Sequence, residues 1–358
     1  MTARRSVLFP AFRATATAAL GLALALGSAW MARTADAADA KPHIKIAVGG
    51  GECICYLPTI LAQQLGYYNE AGVEVELINF KGGSQALTAV LGGSADVVSG
   101  FYDHTVEMAE KKKPMQSIVV YDRFLGFALA VSPKAEGQVK SVSDLIGKKV
   151  GVTAPGSSTD FFVKYMVKKN GGDPAKVAII GIGAGNTAVA AMEQGQVDAG
   201  VMTDPALEIL KGRAPNLHLL ADTRTEKDNT AVFGSDYPSG SLYALTSWVQ
   251  THKVEAQGLA DGVVHTLQWI HAHSAQEIMD KMPQELTGGD KDLYLKSLKN
   301  AMAGYSKTGA MDPKGAETVL AVFSQSVPEI AAAHIDPKTT YTNEFVDKAD
   351  AKFGVKAN

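Results

Sequence analysis

The chain has 358 residues, 46% of them hydrophobic and 20% charged, with a formal net charge of −3. That is apolar material enough for two domain-sized cores. The mildly acidic balance supplies no basic face, which excludes a nucleic-acid partner.

The first 40 residues stand apart. Arg4, Arg5 and Arg13 make a basic start, "ATATAALGLALALGSAW" (14–30) follows as an apolar run, and "ADAADA" (35–40) closes the segment. This is the three-part pattern of a cleaved secretory signal. Cleavage is expected near Ala40, at Ala38-Asp39-Ala40, with Ala35-Asp36-Ala37 as the second candidate. A membrane anchor needs about 20 strongly apolar residues, and this run is shorter and rich in alanine. The Arg4-Arg5 pair leaves general and twin-arginine export both open.

From 43 to about 223 strand-like and helix-like segments alternate. The strands are expected at 44–48, 73–80, 95–100, 116–121, 148–153, 176–183, 198–203 and 217–222. Such alternation implies an α/β fold, with mostly parallel sheets flanked by helices. After about 245 the strand signals cease and the remaining segments read as packed helices. Within the alternating part the chain repeats itself at an offset of 102: "GGSQALTAVLGGSADV" (82–97) lands on "AGNTAVAAMEQGQVDA" (184–199). Ser84 then meets Asn186, both read as helix N-caps after a strand and a glycine. Asp96 meets Asp198, and "ECICYLPTI" (52–60) meets "APGSSTDFF" (154–162). Two halves of similar build follow.

In parallel sheets, ligands bind beyond the carboxyl ends of the strands, where helix N-termini present free N–H groups. Side chains expected there are Glu52, Cys55, Tyr56, Ser84, Tyr102, Asp103 and His104 from the first half, with Arg123 reaching from the connection. The second half adds Ser157, Ser158, Thr159, Asn186, Thr203 and Asp204. The hydroxyls and helix starts suit an anionic head group, which Arg123 would strengthen. Glu52, Asp103 and Asp204 bring more negative charge than positive, and Tyr56, Phe101 and Tyr102 offer faces to a ring or a cation. The ligand's charge stays open. Plainer roles compete: Asp204 as N-cap of a helix beginning at Pro205, Ser157–Thr159 as caps, His104 as a helix lining, Arg123 as partner of a nearby carboxylate. His265, His271 and His273 have no common metal-binding face.

Cys53 and Cys55 are the only cysteines. Two cysteines do not make a four-ligand zinc site, and Gly49-Gly50-Gly51 lacks the phosphate-loop pattern. A bridge would close a very small ring, with the Cα atoms near the upper limit for bonding unless a turn brings them together. The leading expectation is a pair of small, partly buried thiols lining the cleft.

"LPTILAQQLGYYNEAGVEVEL" (57–77), "GGSQALTAVLGGSADV" (82–97), "VSDLIGKKVGVTAPGSS" (142–158), "GQVDAGVMTDP" (195–205) and "YPSGSLYAL" (237–245) together resemble the periplasmic substrate-binding proteins of ABC importers. The likeness is to the nitrate/taurine/alkanesulfonate subgroup, which shares its fold with thiamine-pyrimidine binders. One departure is Asp204-Pro205, where the family often has Glu-Pro. The resemblance implies a type II periplasmic-binding-protein fold of two lobes, the second inserted into the first. Lobe one is expected at 41–126 plus 245–358, carrying the helical tail, and lobe two at 127–244, with crossings near 125–133 and 239–247. It implies a periplasmic monomer without cofactor or metal that closes on a small organic molecule, a sulfonate, carboxylate or pyrimidine-like compound. Its partners would be a membrane permease and ATPase. Two alternatives are a ligand sensor for a signalling receptor and an enzyme like the fungal thiamine-pyrimidine synthases. The cysteine-rich stretch of those enzymes is poorly matched by Cys53 and Cys55.

Overall fold

The computed structural model describes residues 41–287 and 290–355. The secretory signal read at 1–40 lies outside the described residues. Among those described, no helix is long and apolar enough to cross a membrane.

Among the described residues, ten strands form two five-stranded sheets. They are β1 (His43–Val48), β2 (Glu74–Asn79), β3 (Val97–Phe101), β4 (Met115–Val120), β5 (Phe127–Val131), β6 (Lys149–Val152), β7 (Ala178–Gly181), β8 (Ala199–Thr203), β9 (Leu219–Asp222) and β10 (Gly240–Leu245). The first sheet runs β2-β1-β3-β10-β4 and the second β7-β6-β8-β5-β9. Edge and centre differ as burial requires. In the edge strand β2 Glu74 and Glu76 are exposed on either side of the buried Val75, whereas every residue of β3, β5 and β8 is buried.

β1 lies parallel to β2 and β3, and β6 parallel to β7 and β8. Each sheet also takes one antiparallel strand: β10 between β3 and β4, and β5 between β8 and β9. These two strands did not stand out in the sequence as strands, only as crossings. β10 lies wholly in the first sheet, so the expected division at 244/245 falls inside a strand of that sheet.

The repeat is visible in hydrogen bonds. Asp96 Oδ2 accepts from the Lys45 N–H at 2.8 Å, and Asp198 Oδ2 accepts from the Lys149 N–H at 2.8 Å. The two aspartates hold the same junction, loop to first strand, in the two halves.

The helices that frame the site are α1 (Leu57–Gln64), α2 (Gly83–Leu91) and α3 (Asp103–Glu110) beside the first sheet, and α4 (Ser158–Lys169), α5 (Gly185–Gln194) and α6 (Ala206–Arg213) beside the second. The tail contributes α7 (Lys253–Ala272), α8 (Lys291–Ala301) and α9 (Pro313–Ser326). α7 packs on α1 and β4 in the first half, as expected of a tail on lobe one. α8 and α9 reach further. Phe323 of α9 sets its ring edge-on to Phe161 of α4 with centroids 4.7 Å apart, and Lys296 of α8 lies 2.7 Å from Glu208 of α6. The tail therefore grips both halves.

Candidate functional site

The starts of α2 and α4 meet between the sheets. The Ser84 N–H donates to Ser157 Oγ at 3.0 Å, Ser84 Oγ–H donates to the Pro155 carbonyl at 2.9 Å, and the two hydroxyl oxygens stand 3.1 Å apart. Gly82 permits this approach. A Cβ there would stand 2.9 Å from the Ala154 Cβ, too close for any real side chain. Two further bonds join the halves nearby: Ser158 Oγ–H to Asp103 Oδ1 at 2.6 Å, and the Ile54 N–H to the Asp204 carbonyl at 3.0 Å.

His104 is fully buried between the halves. Its Nε2 lies 3.3 Å from the Gly156 carbonyl, which only accepts, so Nε2 carries the proton. Nδ1 shares a hydrogen bond with the Tyr243 hydroxyl at 2.8 Å. Burial pushes the Asp103 carboxyl up, while His104 and the Ser158 hydroxyl work against that shift.

Two of the cavities on this seam lie against Cys53 and Cys55. The inner one is small. Tyr56, Phe101 and Phe127 form its aromatic side, with Phe101 and Phe127 stacked at 5.0 Å and Tyr56 edge-on to Phe101. Thr153, Ser157, Ser158, Thr159 and Thr203 supply hydroxyls from the second half. The outer cavity, somewhat larger, lies against the connecting segment 122–126 and the tail, and Asp122, Asp204, Arg224 and Tyr305 line it. Cys53 and Cys55 line both cavities.

A family model described as NMT1/THI5 like matches residues 55–277. The chain belongs to the NMT1/THI5-like family. A solved protein from Bordetella bronchiseptica RB50 shares 37% identity at a TM-score of 0.84, over 88% of this chain and 98% of that one. The alkanesulfonate-binding protein SsuA of Xanthomonas axonopodis pv. citri, solved with MOPS bound, shares the fold at a TM-score of 0.62. It has 14% identity over 87% of this chain and 98% of its own. The periplasmic nitrate-binding protein NrtA of Synechocystis PCC 6803 does so at 0.63, with 15% identity over 88% and 89%. YtlA of Bacillus subtilis is 22% identical over 283 residues, 76% of this chain and 80% of that one.

In this member of the NMT1/THI5-like family the residues picked from sequence divide into three groups. Cys55, Tyr56, Ser157, Ser158, Thr159 and Thr203 line the inner cavity. Ser84, Asp103 and His104 sit on the seam and join the halves. The remainder lie elsewhere. The Tyr102 hydroxyl points to the tail and bonds Thr340 Oγ1 at 2.5 Å. Arg123 pairs with Asp236 at 2.9 Å beside the Phe124 ring. Asn186 is exposed on the first turn of α5, and Glu52 lies on the open groove that also meets Lys81 and Pro155.

Three expectations need correction. Cys53 and Cys55 are not free thiols but a disulfide, because the turn into α1 brings their Cα atoms to 5.1 Å. Ser84 and Asn186 do not cap their helices; Gly82 and Ala184, two residues earlier and extended, hold the cap positions. Asp204 is not the cap of α6 either, since Pro205 holds that position. Its carboxylate instead pairs with Arg224 at 3.2 Å.

Arg224, Phe127, Thr153 and Asp122 were missed. Thr153 closes a strand that the sequence delineated, so the strand-end rule reaches it. Phe127 and Asp122 lie at the crossing, which read only as a connection. Arg224 carried no local signal. Its partners are Asp222, Asp204 and Glu208, gathered from three positions along the second half.

Proposed function

We propose that this protein is the extracytoplasmic solute-binding component of an ABC importer, exported by the segment at 1–40 and working in the periplasm. It captures a small organic molecule between its halves and delivers it to a permease and ATPase. The inner cavity supports this reading most directly. Its walls come from the carboxyl ends of strands in both sheets, so an occupant would touch both halves at once and favour their closed arrangement. The hydroxyls of Ser157, Ser158, Thr159 and Thr203 would orient a polar edge, and Tyr56, Phe101 and Phe127 would cover an apolar body. Within this reading the inner wall holds the body of the ligand, and Ser84 and His104 act as ties between the halves. The MOPS-bound SsuA and the nitrate-binding NrtA have the same fold. This chain's own compound is a separate matter of its lining.

The test is a metabolite panel followed by melting temperature and small-angle scattering. A true ligand at a hundredfold excess over Kd adds about 2.7 kcal/mol to native stability and reduces the radius of gyration. A panel that leaves both quantities unmoved would defeat the proposal, and turnover of a panel member would favour an enzyme instead.

A further inference from the structure

The outer cavity has charges that the inner one lacks. Among the described residues no charged side chain lines the inner cavity, whereas Asp122, Asp204 and Arg224 line the outer. Arg224 is not free to receive an anion. Its Nε and Nη2 hold Asp222 at 3.0 and 2.8 Å, and its Nη1 holds Asp204 at 3.2 Å and Glu208 at 2.9 Å. Glu208 also faces Lys211 and Lys296. Three carboxylates and three cations thus balance within that network.

Asp122 is the carboxylate left over. It is 7% exposed, it lines the cavity, and its Oδ2 is buried with no hydrogen-bond partner among the described residues. No cation pairs with it among the described residues. An isolated carboxylate in such a place is costly to ionise, and burial pushes its pKa well up. A positive group from outside the chain would supply the missing partner. The rest of the wall, Phe124, Leu125 and Ala301 with the Asn300 amide, suits a compact body that carries such a group.

We infer that the outer cavity is the subsite for a cationic, hydrogen-bond-donating group of the ligand, an ammonium or amidinium, received by Asp122 and with Asp204 beside it. The inference rests on the solute-binding reading and names the class of solute: amines and amidines rather than sulfonates or carboxylates. The disulfide forms the partition past which the remainder of the molecule would extend toward Tyr56 and Phe127.

Three planar probes of one shape separate the charges: benzamidine, benzamide and benzoate, titrated calorimetrically into the purified protein and into the Asp122→Asn variant. Benzamidine should bind wild type about tenfold or more tighter than benzoate, and Asp122→Asn should remove most of that preference. Benzoate binding as well as benzamidine, or an unchanged preference in Asp122→Asn, overturns the subsite and leaves the solute-binding reading standing. So does failure of all three probes when a panel metabolite binds wild type and Asp122→Asn equally. If no solute of any charge binds, both readings fall together. The wild-type preference keeps the test decisive should the variant fold poorly.

Discussion

Cys53 and Cys55 lie two residues apart, and only the turn between strand and helix lets them bond. Sequence spacing gave their location at the strand exit but not their covalent state, since that depends on backbone angles set by the Gly49–Gly51 run and by the start of α1. Serines and threonines at 157–159 were legible for the complementary reason: position after a strand is local information. Arg224 was not, because a buried ion network draws its members from distant positions and leaves no periodic trace. For the disulfide, the closed loop is so short that loop-closure entropy gives only about 1–2 kcal/mol. The Cys53→Ser, Cys55→Ser double variant should accordingly fold and lose about that much stability in urea unfolding. It should lose ligand affinity as well, since the bridge walls both cavities. An unchanged affinity would show that the partition is not a contact surface.

At the scale of elements, the repeat was the most reliable guide. α2 and α5 begin at Gly83 and Gly185, and β3 and β8 begin at Val97 and Ala199, each pair at the offset of 102 seen in the sequence. The shared aspartate junction explains why that register persists. The antiparallel β5 and β10 escaped because their pairing is nonlocal, and a short apolar run alone does not distinguish a strand from a connection. The helix starts were placed correctly in space but not in detail: Ser84 lies one turn position inside its helix, free to reach across to Pro155. This makes Gly82 the sensitive point. Its backbone is extended, with φ −170°, so alanine meets no local strain there. The added methyl would instead press on Ala154 across the seam. Gly82→Ala should hold the halves apart, at a cost of about 1–3 kcal/mol to closure. The expected result is an affinity lowered about tenfold or more with the melting temperature of the ligand-free protein within a few degrees of wild type. An affinity equal to wild type would mean that the seam is not the place where the ligand is enclosed.

Over the whole molecule, the tail decides how the halves are held. The sequence showed that the last third is helical but not that α8 and α9 cross to the second half, because helix periodicity marks a buried face without saying what covers it. Glu208 makes that crossing electrostatic. Its side chain is 2% exposed and is met by Arg224 and Lys211 from its own half and by Lys296 from the tail. Burial alone would raise its pKa, but Lys296, Arg224 and Lys211 outweigh burial and bring it down to about 2. A carboxyl lowered in the folded state adds stability that is complete above its unfolded value of 4.5 and is lost as pH falls toward 2. The size is roughly 3 kcal/mol. Asp204, next to it on the same arginine, works in the opposite sense. Burial raises it to about 6 against the pull of Arg224, so its neutral form is favoured and its effect on stability becomes unfavourable as pH rises from 3.8 to about 6. The two windows overlap only between 3.8 and 4.5, which allows most of each to be read separately. Urea unfolding of Glu208→Gln should lie below wild type at pH 7 and approach it as pH falls toward 2, whereas Asp204→Asn should flatten the wild-type slope only between about pH 4 and 6. Parallel curves for Glu208→Gln and wild type down to pH 2.5 would show that the tail and the second half are joined by packing at Phe161 and Phe323 rather than by this charge.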